Sequence, residues 1–363
     1  MKTIVLHDYF ATAEGGGKLS LILAQGINAD LGYGFRKSQH PFFQDEIVKN
    51  LQYNLNSYSI LPLWRQLKLS LAFSSKTQFI KDYENVIYSG FYAPLAVKNH
   101  PYGSNIIYCH TPPRFIYDQH DFYINSLPVG MGFMLSHFVS YLRPIYEKAI
   151  DKMDIIITNS ENTRQRIKHF LNKDSIVVHP PCDSNQFSWQ GQGNYYLSTA
   201  RLDPLKRVDL IIRAFLKMPH KNLIITSGGT EFRYLRKLAK HAPNIEFTGW
   251  VSNQKLANLV GNSIATIYLP KDEDFGMSPV ESMAAGKPVI GVREGGLLET
   301  IISGKTGLLV NAMLSVDNIC EAVDTLDPQM ALGMRYACEA QAKLFDRENF
   351  LKKMRQVIFN SRN

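Results

Sequence analysis

The stretch Glu273-Asp-Phe-Gly-Met-Ser-Pro-Val-Glu281-Ser-Met-Ala-Ala-Gly286 decides the fold. It places two carboxylates, Glu273 and Glu281, eight positions apart, with Phe275 and Gly276 just after the first. The preceding run, SIATIYL over 263–269, reads as a strand. An Ala-rich helical segment follows, and then Gly286-Lys-Pro-Val-Ile290 reads as the next strand. A strand, a glycine-bearing loop and a helix whose first turn points N–H groups at that loop make a site for anions and hydroxyls. Two carboxylates there can each grip a pair of vicinal hydroxyls. A sugar nucleotide, with hydroxyls at both ends and phosphates between, fits that pattern. The other reading is an ordinary acid-rich helix start, which is electrostatically favourable by itself.

The same rhythm extends outward. Further strands are expected over 195–199, 223–226, 245–248, 289–291 and 307–310, with a helix over 208–216. The N-terminal half shows strands over 3–7, 85–88, 106–109, 155–158 and 175–179, with helices over 19–27, 143–152 and 163–171. Alternation of this kind predicts doubly wound parallel sheets. Prolines at His179-Pro-Pro-Cys-Asp183 break regular structure and mark a boundary. The domains are therefore expected at 1–180 and 181–345, with a basic amphipathic terminal helix within 346–363.

A chain of 363 residues with 45% apolar and 20% charged residues suits two soluble domains. Its four cysteines, Cys109, Cys182, Cys320 and Cys338, have no metal-like spacing and read as reduced thiols. The N-terminus lacks the long apolar core of a signal peptide, and no apolar run spans a membrane. A cytoplasmic protein is expected. The net charge of +8 is spread over both halves, and no Arg-rich run suggests nucleic acid. That surface could meet anionic headgroups or substrates. Residues 61–81, where Trp64, Leu67, Leu71 and Phe79 alternate with Arg65, Lys68, Lys76 and Lys81, could lie on a membrane or form an ordinary surface helix. Residues 127–141 are a second apolar region, for an acceptor's lipid or for core.

Arg201 and Lys206 lie in LSTARLDPLKR, which ends a strand and opens a helix. Two cations there suit a diphosphate or a solvated helix start. Gly15, Gly16 and Gly17 follow the first strand, where glycines allow positive φ and close approach of backbone N–H groups. A plain flexible loop explains them equally well, and no dinucleotide fingerprint stands there. His110 sits at a strand end, stiffened by Pro112 and Pro113; Arg114 beside it could bind phosphate or close a local salt bridge. Asn159-Ser160 reads as a helix cap. No metal site is expected: histidines are dispersed, and the acidic Asp272-Glu-Asp274 falls inside the sugar motif.

The Glu273–Gly286 string resembles the E-x7-E motif of the retaining glycosyltransferases of family four, which have the GT-B fold. The likeness continues through EGGLLE at 294–299 and GKTG at 304–307. Arg201 and Lys206 match the family's R-x4-K spacing, and HTPPR at 110–114 resembles the HTP-x-R segment of bacterial mannosyltransferases of O-antigen assembly. The glycine triplet stands where family members carry a Gly-Gly pair followed by Ala-Glu; here Lys18 replaces that Glu.

The resemblance implies an α/β GT-B fold, two Rossmann-like domains facing a cleft, with the final helix crossing back to the first. It implies retaining, metal-independent transfer of a hexose to a glycan, without a cofactor. Mannose from GDP-mannose is indicated, with a UDP-hexose as the alternative. The acceptor would be a lipid-linked oligosaccharide at the inner membrane face, in bacterial surface polysaccharide assembly. Arg201 and Lys206 would stabilise the leaving diphosphate. Glu273, with Asp274, Phe275, Gly276 and Met277, would hold the hexose, and Glu281 the ribose. Gly228 and Val251 would face the nucleotide, Gly15–Gly17 the phosphates, and His110 the reacting sugar. A GT-B sugar-nucleotide epimerase and a silent binding subunit are the competing classes; the intact acidic and basic motifs weigh against both.

Overall fold

The computed structural model describes residues 2–12, 14–38, 40–43, 50–128, 130–182 and 184–360. Asp183 of the expected boundary, Val129 of the apolar region and the last three residues of the terminal segment lie outside them. The chain forms two compact units, Met1–His179 with Leu351–Asn363, and Pro180–Phe350.

The first unit is built on β1 (Thr3–His7), β2 (Asp30–Tyr33), β3 (Gln52–Asn54), β4 (Asn85–Ser89), β5 (Ser104–Cys109), β6 (Ile155–Thr158) and β7 (Ile176–Val177). They form one sheet in the order β3-β2-β1-β4-β5-β6-β7, and every pairing is parallel. Strands β1 and β4 are buried along their whole length. That is why they read as unbroken apolar runs rather than alternating ones: helices cover both faces of a parallel sheet. Strands β2 and β3 escape a sequence reading because they are four and three residues long and carry Asp30, Gln52 and Asn54.

The second unit repeats the arrangement with β8 (Tyr195–Ser198), β9 (Asn222–Thr226), β10 (Ile245–Gly249), β11 (Thr266–Tyr268), β12 (Val289–Val292) and β13 (Gly307–Val310). The order is β10-β9-β8-β11-β12-β13, again parallel throughout. Its core gathers Ile211, Phe215, Ile267, Met283 and Ile290, all fully buried. In each sheet the strand order reverses once, between β1 and β4 and between β8 and β11. Open α/β sheets bind ligands beyond the carboxyl ends of strands at such a reversal.

Three expectations about elements need correction. The glycine triplet is not a loop: Gly15–Gly26 is one helix, and none of the three has positive φ. Space is the reason, since a Cβ on Gly17 would lie 3.2 Å from the Phe10 ring. The helix expected from residue 143 begins at Met131 and runs to Ile150 with Pro144 inside it. Proline there forfeits one hydrogen bond without ending a helix anchored by buried Phe138, Leu142 and Tyr146. Residues 61–81 split into the helix Pro62–Ser75 and a short turn, Gln78–Asp82. Trp64 and Leu71 face outward, whereas Leu67 and Phe79 pack on the core and Phe79 stacks on Tyr53 at 4.1 Å. The four therefore do not share one apolar face. Among the described residues no helix is long and apolar enough to cross a membrane.

Candidate functional site

In the second unit, β8 delivers the chain through Arg201 into the turn Pro204–Lys206. Arg207 then takes a left-handed conformation and starts the helix Val208–Lys217. Its guanidinium donates to the carbonyls of Leu269 at 2.8 Å and Pro270 at 2.5 Å, and pairs with Glu294. Glu294 also accepts the Asp272 N–H at 3.2 Å. Arg207 thus ties the segment after β8 to the segment after β11, across the strand reversal. The sequence offered no separate signal for it, because it adjoins Lys206 in a run already read as basic.

That tie brings Lys206 and Glu273 together. The Lys206 ammonium lies 2.6 Å from Glu273 Oε2 and 3.2 Å from the Tyr268 hydroxyl. Tyr268 donates to the same carboxylate oxygen at 3.0 Å. Burial, with the neighbouring Glu273 charge, holds the Tyr268 phenol well above its ordinary range, so it stays a donor. Arg201 stands apart from this cluster, paired with Asp203 at 3.1 Å and 57% exposed. Its charge still acts on Tyr268. Tyr268, at the end of β11, was not singled out in the sequence, where it reads as one more strand residue.

The loop carrying Glu273 is shaped from below by Gly295 and Gly296. The Gly296 N–H donates to the Glu273 carbonyl at 2.8 Å. A Cβ on Gly295 would lie 2.5 Å from that carbonyl oxygen, and one on Gly296 would lie 2.4 Å from the Asp274 carbonyl oxygen. Gly276, at φ +92°, turns the chain into the helix Met277–Ala284. Phe275 points into the core against Phe345, with ring centroids 5.4 Å apart, so the site receives only its backbone. Asp274, Met277 and Glu281 are half-buried. Glu281 opens the second turn of the helix, where side chains lean back toward the N-terminus.

Gly228 and Val251 lie beyond β9 and β10. The Ser227 N–H donates to the Gly249 carbonyl at 2.9 Å, closing the two loops together. A Cβ on Gly228 would fall 2.4 Å from Trp250 Nε1, so this glycine leaves room for the indole, which is 74% exposed. Among the described residues no group of three or more His, Cys, Asp or Glu could hold a metal ion.

In the first unit the strand reversal gathers His7, Ser89 and His110 with Ser20 of the Gly15–Gly26 helix. His7 Nδ1 lies 2.9 Å from the Ser89 carbonyl and 3.0 Å from Ser20 Oγ. Ser89 Oγ lies 2.8 Å from Ser20 Oγ and 2.9 Å from His110 Nε2. Burial holds His7 down at about 4 and His110 at about 3, each lowered further by a neighbouring imidazole. Both are therefore neutral at physiological pH. Gly16 packs directly on His110: a Cβ there would come 3.4 Å from Nε2. The Asn159 side chain donates to the His110 carbonyl at 2.7 Å, while Ser160 caps the next helix by accepting the Thr163 N–H at 3.0 Å. Arg114 pairs with Asp118 at 2.7 Å. Of the candidate site residues singled out in the sequence, His110, Arg114, Asn159, Ser160 and the glycine triplet belong to this unit and the others to the second.

Comparison with known proteins fits this geometry. Residues 180–328 match the family described as Glycosyl transferases group 1. The chain is 25% identical over 263 residues to the alpha-1,3/1,6-mannosyltransferase ALG2 of Dictyostelium discoideum, covering 57% of this chain and 58% of that one. It is 26% identical over 205 residues to the D-inositol 3-phosphate glycosyltransferase of Mycobacterium leprae, covering 50% and 47%. The chain thus spans about half the length of the curated relatives it matches. Anabaena Alr3699/HepE, solved with UDP and glucose, superposes with a TM-score of 0.74 at 15% identity over 98% of this chain and 99% of that one. That likeness is one of fold. Residues 180–328 are thus similar to the glycosyl transferases group 1 family, and the fold of the chain is GT-B.

Proposed function

We propose that this protein transfers a hexosyl group from a nucleotide sugar to a hydroxyl of a glycan acceptor, with retention of configuration and without a metal. The observation that carries the reading is the Lys206–Glu273–Tyr268 cluster at the strand reversal of the second unit. A diphosphate arriving there would draw Lys206 from Glu273 and leave that carboxylate to accept hexose hydroxyls. Arg201, largely exposed, would join Lys206 on the diphosphate and stabilise it as it departs. The backbone of Asp274–Met277 would position the hexose, Glu281 the ribose, and the Gly228 and Val251 loops the base. The departing phosphate would accept the acceptor's proton in a front-face substitution. His110, neutral at physiological pH, would serve as a hydrogen-bond partner of a substrate hydroxyl rather than as an acid, and the Gly15–Gly17 turn would offer backbone N–H groups to phosphate.

For the donor we favour GDP-mannose, supported by the mannosyltransferase named among the relatives. A UDP-hexose is the second reading, supported by the structural neighbour solved with UDP and glucose. A lipid-linked glycan of surface polysaccharide assembly at the inner membrane face is the proposed acceptor. Thermal-shift measurements with GDP-mannose, UDP-glucose, UDP-N-acetylglucosamine and ADP-glucose, without metal, test the donor. A ligand of the native state raises the midpoint, by about 2.7 kcal/mol of stability at a hundredfold excess over Kd. A GDP-mannose shift that disappears in Glu281→Ala supports the reading. A shift with UDP-sugars alone replaces the mannosyl donor, and none with any nucleotide sugar overturns the transfer reading.

A further inference from the structure

The first unit holds a cavity of about 440 Å3 that the proposed donor chemistry does not use. This is within the range of about 300–1,000 Å3 typical of small-molecule sites. Phe91, Phe115, Tyr123, Met131, Leu135 and Phe138 form most of its wall. Its polar members, Asp8 and Gln66, collect where the chain leaves β1 and where the Tyr92 hydroxyl donates to Gln66 at 2.5 Å. An apolar guest would take this apolar wall out of contact with water, which favours its binding.

The polar edge is built rather than incidental. Asp8 accepts backbone N–H groups from Phe91 at 2.6 Å, and from Tyr92 and Ala93 at 2.8 Å each. A carboxylate has about four lone-pair sites, so capacity remains for a ligand hydroxyl. Arg65 precedes Gln66, and its charge acts on both Tyr9 and Tyr92, which line the cavity. Its Nε is buried with no hydrogen-bond partner among the described residues. Tyr123 is 41% exposed, so the wall reaches solvent on the helical side. An apolar chamber with a fixed carboxylate at one edge, and the Arg65 charge acting on the two tyrosines of that edge, matches an amphiphile.

We propose that this cavity binds the hydrocarbon chain of an amphiphilic acceptor, with the polar head at Asp8 and Arg65. The inference rests on the transfer reading and deepens it by giving the acceptor's hydrocarbon chain a site. Binding is measured without donor or turnover, so it can fail while that reading stands, and the reverse.

The test is calorimetric titration of the full chain with methyl, butyl, hexyl and octyl glucosides below their micelle concentrations. Each buried methylene should tighten binding by about fourfold. Leu135→Trp, which fills the chamber, should abolish the chain-length trend while leaving nucleotide-sugar binding unchanged. Met131→Trp, one turn earlier on the same wall, provides the same test should Leu135→Trp fail to fold. Octyl phosphate against octyl glucoside then identifies the head. Tighter phosphate binding that is lost in Arg65→Gln assigns an anionic head, and equal binding a hydroxylated one; either leaves the chain assignment standing. No chain-length trend, or a trend unchanged in the folded tryptophan variants, overturns the proposal.

Discussion

At the scale of single residues, Lys206 and Glu273 form a charge pair that the proposed transfer would break. Each side chain is about one-fifth exposed, 19% and 20%, so solvent screens the pair and its contribution to stability is small. Lys206→Ala should lower kcat/KM by about 10²–10³-fold, the usual effect of removing one electrostatic stabiliser, while the melting temperature moves little. Steady-state assays beside thermal melts check both. The buried histidines behave differently. His7 and His110 titrate at about 4 and about 3 in the folded chain, against 6.5 when exposed. Below pH 6.5 the unfolded chain gains protons that the folded one refuses, so stability is present above 6.5 and lost as pH falls. Asp8, raised by burial to about 6, works in the opposite sense between about 6 and 3.8, but it is one group against two. Urea unfolding should show stability falling on the order of 2 kcal/mol from pH 7 to pH 5, with a shallower slope in His110→Gln. No such change would show that these imidazoles are not held neutral. The sequence flagged His110 through its neighbours, Pro112 and Pro113. His7 and Ser89 were invisible, since their meeting depends on the register that places His7 opposite Ser89 across β1 and β4.

At the scale of elements, the most informative piece is the glycine pair under the Glu273 loop. Gly295 has φ +62° and Gly296 does not have positive φ, yet both lie against the backbone of residues 272–275. Gly296→Ala must push that backbone away, since the obstructing atom is a carbonyl oxygen and not a side-chain tip. It should weaken nucleotide-sugar binding at least tenfold and cost about 1–3 kcal/mol. Unchanged affinity by calorimetry would mean that the loop position is not set from below. This contact explains why EGGLLE could be read in the sequence only as a familiar string: its role is spatial, and nothing local in 294–299 predicts what rests on it. Long buried strands were legible because burial on both faces leaves an apolar run. The helix Met131–Ile150 was half-legible, because Pro144 imitates a helix start when contacts further along are unseen.

At the scale of the whole molecule, alternating elements were enough to foretell two parallel sheets, because both reversals follow from the same repeated order. The cluster of Lys206 with Glu273 was legible as two motifs, but Arg207, which joins them, was not. The terminal helix Arg347–Asn360 buries Leu351, Met354 and Ile358, with Leu351 pressed on Gly26 and Arg355 donating to the Gly26 carbonyl at 2.5 Å. Gly26→Val should therefore destabilise the first unit by more than about 1 kcal/mol while leaving the nucleotide-induced protection of the second intact, as amide hydrogen exchange would report. The same contact sets an order of events on the ribosome. The second unit is continuous in sequence and complete once Phe350 has emerged. The first unit, although its strands are made earlier, lacks a piece of its core until Ile358 follows. The half synthesised first is thus the half that finishes last. Until then, the apolar surface around Gly26 is exposed in the nascent chain, where chaperones act.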